Sequence, residues 1–126
     1  MKNLARLALV LAPALALACG SAPGYLETDV LAPRDLGNPV ASGVHIQGQL
    51  MTDGTLTCQG SGEIHKTYMD YVDSMRKLGW EPRSADGDDV TGMKCALRKD
   101  TRQVDLAISS EGKGSIKVVV TVGPAK

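Results

Sequence analysis

From Val90 to Val122, apolar side chains return at every second position in three successive stretches. Met93, Cys95 and Leu97 share one phase; Val104, Leu106 and Ile108 share the next; Ile116, Val118, Val120 and Val122 share the third. A period of two belongs to strands with one face buried and one in water. The connections, Asp100-Thr101 and Gly112-Lys113-Gly114, are too short for a parallel crossover, so the three strands form an antiparallel meander. One face of that meander is apolar and needs a cover.

The segment upstream supplies the cover. Val44, Ile46, Gly48 and Leu50 alternate with polar neighbours, and the alternation resumes at Thr55-Leu56-Thr57-Cys58 after Asp53-Gly54. Residues 44–59 therefore read as a hairpin turning at Asp53-Gly54. After Gly60-Ser61-Gly62, with Ser61 as the expected N-cap, the period changes. Ile64, Tyr68, Tyr71, Val72, Met75 and Leu78 fall on one helical stripe. Glu63 near the start and Arg76-Lys77 in the last turn suit the helix dipole. The pairs Lys66–Asp70 and Asp73–Lys77 are spaced i,i+4. Gly79 takes the left-handed position after the helix, and Pro82 stops it resuming. The expected fold is α+β: an antiparallel sheet of about five strands in the order β-β-α-β-β-β, with one amphipathic helix on one face.

A chain of 126 residues has room for one such domain. Its 14 basic and 14 acidic side chains balance, which argues against a nucleic-acid partner. Only four aromatic residues are present, too few for a base-stacking surface.

The first residues read as an address. Lys2 and Arg6 precede Leu7–Ala18, an apolar run of twelve. A bilayer span needs roughly 20 residues, whereas secretory signals carry runs of about 7–15. The run closes with Ala16-Leu17-Ala18-Cys19-Gly20 and resembles a bacterial lipoprotein signal, whose cysteine is acylated and becomes the new N-terminus. The family prefers Leu where Ala16 stands, and Ala16-Leu17-Ala18 also suits an ordinary signal peptidase, which would release a soluble protein. Acylation of Cys19 leaves an even pair, Cys58 and Cys95, in an oxidising compartment. The expected division is a signal peptide at 1–18, an acylated Cys19 with a tether and extended lead-in over 19–43, and a domain over 44–124. Residues 20 to about 29 are small and polar, as a tether requires. The resemblance implies attachment through acyl chains, which need more than one chain for a stable hold. Gly20 lacks the Asp of inner-membrane retention, so the expected place is the outer membrane, facing the periplasm, if the source has two membranes.

Gly60, Tyr68, Tyr71, Met75, Gly79 and Trp80, with the start Ala32-Pro33-Arg34-Asp35-Leu36, resemble a family of small bacterial lipoproteins whose helix ends in Met-x-x-x-Gly-Trp. These motifs concern packing and add no chemistry.

Candidate sites are few. Cys58 and Cys95 share phases with apolar neighbours and should point inward. Three readings apply: a redox pair, two separate buried thiols, or a disulfide. The disulfide is the expectation, closing a loop of about 36 residues and contributing about 3.8 kcal/mol. The redox reading lacks a C-x-x-C spacing. His45 and His65 have no partner at ligand spacing, so no metal is expected. Asp86-Gly87-Asp88-Asp89 lacks the EF-hand pattern and reads as a solvated turn. No nucleophile motif or phosphate loop occurs, so neither enzyme activity nor a cofactor is expected. Trp80 is expected to pack beneath the helix terminus.

The functional expectation is a non-enzymatic envelope lipoprotein, a structural or interaction module with an envelope protein partner. Such a module would expose an apolar or aromatic patch, for which Tyr25, Leu26 and Tyr71 are candidates. The alternative is a carrier holding a small apolar ligand between helix and sheet.

Overall fold

The computed structural model describes residues 27–37 and 39–126. Within them lie strands β1 (Val40–Gln47), β2 (Leu50–Ser61), β3 (Glu81–Asp88), β4 (Gly92–Lys99), β5 (Arg102–Gly112) and β6 (Ser115–Pro124), with one helix, α1 (Ile64–Lys77), between β2 and β3. The strands form one antiparallel sheet in the spatial order β1-β2-β6-β5-β4-β3. The α+β class holds. The strands number six rather than about five, and the chain order is β-β-α-β-β-β-β.

The additional strand is β3, which includes most of the stretch expected to be a turn. All eight of its residues are exposed, so they carry no alternation to read. Its backbone pairs with β4 from Glu81↔Arg98 to Asp88↔Gly92. Pro82 is tolerated because β3 is an edge strand, and the register shifts between Pro82 and Ser84.

The first hairpin turns five residues earlier than expected, at Gly48-Gln49. Gly48 has φ 63°, and as the first central residue of a two-residue loop it fits a type II′ turn. Asp53 and Gly54 lie inside β2. At Gly54 a Cβ would come within 2.9 Å of the Val44 Cα and 2.8 Å of the Met51 Cε, at φ 138°. The glycine serves this close approach, where β1 bulges between Ser42 and His45, and not a turn.

Helix α1 buries Ile64, Tyr71 and Met75 and leaves Tyr68, Val72 and Leu78 half-buried. Both anticipated ion pairs form, Lys66–Asp70 at 2.8 Å and Asp73–Lys77 at 3.5 Å, each exposed. Glu63, not Ser61, occupies the N-cap, without a side-chain cap bond; Ser61 ends β2 opposite Ser115. At the other end Gly79, φ 98°, lets its amide donate to the Arg76 carbonyl at 3.0 Å and the Trp80 amide to the Met75 carbonyl at 3.1 Å. This closure folds Trp80 under the helix, where it is 1% exposed.

The inner face of the sheet carries two central rows. One runs Leu56–Val120–Leu106–Cys95, the other Cys58–Val118–Ile108–Met93. Helix α1 lies over β3, β4 and β5. The segment before β1 covers the β2 side. The Asp29 amide donates to the Gln49 carbonyl at 3.2 Å, and the Gly37 amide to the Gln59 carbonyl at 3.0 Å. Residues 29–37 thus run alongside β2 as a strap. Val30 is fully buried in it, worth about 1.5–3 kcal/mol. Thr28 and Pro33 are also buried, so the packed domain begins well before residue 44.

Candidate functional site

The strap is held by a cluster of charges where β4 turns into β5. Arg102 stands in phase with Val104, Leu106 and Ile108, so its side chain is directed into the covered face and is only 7% exposed. Lys99 shares the inward phase of Cys95 and Leu97. Two cations at inward positions need an anion, because an unpaired buried charge is costly. Asp29 of the strap supplies it. Arg102 Nη1 and Nη2 donate to its two carboxylate oxygens at 2.9 and 2.6 Å, in the fork geometry that suits guanidinium. Lys99 Nζ lies 3.2 Å from Asp29 Oδ2 and donates to the Leu78 carbonyl at 2.6 Å, joining the strap to the helix terminus.

The remaining contacts lock orientation. Trp80 Nε1 donates to the Asp29 carbonyl at 2.8 Å, and the Arg102 guanidinium stacks 5.0 Å from the centre of the Trp80 ring. Arg102 Nη1 also donates to the Met51 carbonyl at 3.0 Å, and Tyr71 Oη donates to the Leu31 carbonyl at 2.8 Å. Burial opposes ionisation of Asp29, yet hydrogen bonds and charge from Arg102 and Lys99 together hold its carboxyl below the usual range. The arrangement is a clasp. Its carboxylate is committed to two cations, which suits fastening rather than proton transfer.

The residues singled out in the sequence are not brought together. Cys19, Tyr25 and Leu26 lie outside the described residues. The expected Cys58–Cys95 bridge does not form: both thiols are free and buried. Strands β6 and β5 separate β2 from β4, three steps of ~4.8 Å. A disulfide needs Cα atoms within about 7 Å. Burial pushes both thiols up from their ordinary value, which keeps them unreactive. Tyr71, a candidate for an exposed patch, is instead 4% exposed and part of the core.

His65 pairs with Asp89 at 3.2 Å, both exposed, and His45 lies exposed on β1. Asp88 ends β3, and its carboxylate accepts the amides of Val90 and Thr91 at 2.8 and 2.7 Å, closing the turn into β4. Among the described residues no group of three or more His, Cys, Asp or Glu converges on a metal position. A groove of about 270 Å³ opens at the β3–β4–β5 end, lined by Asp86, Gly87, Gly92, Met93 and Ile108; no helix residue lines it.

Sequence reasoning missed Asp29, Lys99 and Arg102. The signal was present in two of them, as cations in phase with inward apolar rows. Asp29 sits in an irregular segment where no period marks it.

Compared with protein-family models, curated proteins and solved structures, the chain matches none.

Proposed function

We propose that this chain is a non-enzymatic, membrane-anchored envelope lipoprotein, acylated at Cys19, whose α+β domain is a structural or protein-interaction module. The lipobox-type ending Ala16-Leu17-Ala18-Cys19-Gly20 supports the anchor. The observation that carries the reading is the clasp. It fastens the chain at Asp29, and Thr28, already buried, stands only nine residues beyond Cys19. Nine residues span at most roughly 30 Å when fully extended. A domain fastened so near its N-terminal cysteine is held close to a membrane, in a fixed relation to its point of attachment.

The outer face of the sheet supports the interaction role. The row Thr57–Val119–Ala107–Lys94 points away from the helix and has no covering layer among the described residues. The outer membrane, periplasmic side, is the proposed location where the source has two membranes.

The test is fractionation of cells carrying the full chain or its Cys19→Ser variant. The parent should pellet with membranes and take up labelled palmitate, and the variant should do neither. A parent chain recovered unlabelled from the soluble fraction would overturn the proposal.

A further inference from the structure

The place where the strap meets the sheet names a second contact with the membrane. The Asp29 amide bonds the Gln49 carbonyl, so Asp29, two residues from the start of the described chain, lies beside the β1–β2 turn. From Val40 to Thr52 the sequence contains no Asp, Glu, Lys or Arg, a run that spans β1, the turn and the start of β2. At the tip, Ile46 and Leu50 are 37% and 43% exposed, flanking the uncharged Gln47, Gly48 and Gln49. The pairing of β2 with β6 begins only at Gly54, so the tip extends beyond the six-stranded sheet as a two-stranded ribbon, held from one side by the Asp29 amide and the Arg102 guanidinium. The far end of the molecule is rich in carboxylates: Glu63, Asp86, Asp88, Asp89 and Glu111 are exposed there, against the exposed cations Lys66 and Lys113.

We infer that the β1–β2 tip, through Ile46 and Leu50, rests in the lipid interface at which Cys19 is acylated, so that the domain stands with its acidic end pointing away from the bilayer. This inference rests on the anchoring proposed above. The length and position of the chain select the occupant. Ten residues link Cys19 to Asp29, so the tip lies within roughly 35 Å of the acylated residue even at full extension. Between Val40 and Thr52 the one titratable side chain is His45, so Ile46 and Leu50 can enter an interface without desolvating a carboxylate, an ammonium or a guanidinium, and the carboxylate-rich end cannot. A short acyl tether gives that contact a high effective concentration, so two aliphatic side chains suffice.

Quenching of tryptophan by brominated lipid tests the arrangement. Full-length acylated chain is purified from membranes as Leu50→Trp or Val90→Trp. It is then reconstituted in vesicles of phosphatidylethanolamine and phosphatidylglycerol containing lipid brominated on its acyl chains. Both positions are exposed, Val90 on the β3–β4 turn at the opposite end, and buried Trp80 contributes the same background to each. Leu50→Trp should be quenched about threefold more than Val90→Trp, as expected for a group seated in the interface. Equal quenching, or more at Val90, in protein that floats with the vesicles overturns the inference and leaves the anchor standing. Protein that fails to float overturns the anchor and the inference with it.

Discussion

Arg102 grips Asp29 across 73 residues of chain, with both carboxylate oxygens accepting and Trp80 stacked against the guanidinium. The pair joins the turn between β4 and β5 to a segment that has no regular secondary structure. It makes that segment part of the domain.

Removing Asp29 leaves Arg102 buried without its two-pronged carboxylate, whereas removing Arg102 leaves Asp29 with Lys99 alone. Asp29→Ala should lower the unfolding free energy by about 3 kcal/mol, within the range for broken buried ion pairs. The double variant Asp29→Leu with Arg102→Met should cost less than the two single changes combined, since the buried guanidinium and its carboxylate go together and Lys99, partly exposed, is left to water. Urea unfolding of the four-member cycle measures the coupling.

The acid limb of stability should carry the same signature. The Asp29 carboxyl is depressed in the folded state, so the folded form binds fewer protons than the unfolded chain. Its contribution is complete above the unfolded value of about 4, and is lost as pH falls through the folded value below that. Thermal unfolding from pH 6 to pH 2 should show a steeper acid decline in the parent than in Asp29→Asn.

Cys58 and Cys95 should behave as buried thiols. The acylated chain should show no rapid reaction with a thiol reagent when native and two reactive thiols after denaturation without reductant. Fewer than two would indicate a bridge, and three would indicate an unacylated Cys19.

The glycine at the bulge should be irreplaceable. Gly54→Ala forces a Cβ against the β1 backbone at a positive φ and should cost about 2 kcal/mol or more. Gly123→Ala meets nothing within 4 Å and should change stability by no more than about 0.5 kcal/mol. Parallel urea titrations compare them.

These residues also show what the sequence could reveal. Helix α1 and strands β4, β5 and β6 were legible because each buries one face, and burial imprints a period of 3.6 or 2 on the chain. The folding of Trp80 under the helix followed from Gly79. Strand β3 was not legible: its eight residues are all exposed, and it exists because β4 offers an open edge. The Asp53-Gly54 signal misled because a glycine demanded by a close approach looks the same in sequence as one demanded by a turn. Cysteine phase correctly placed both thiols inward, but phase does not contain strand order, and strand order put two strands between them. The clasp was half legible, in the inward phase of Lys99 and Arg102; its acid lay outside any periodic element.

The central claim is that Cys19 carries the chain's anchor. The intact mass of protein purified from native membranes without reductant tests it most directly. The account predicts a mass for residues 19–126 plus acyl chains, with no loss of two hydrogens because both inner thiols are free. An unacylated mass recovered from the soluble fraction would contradict it.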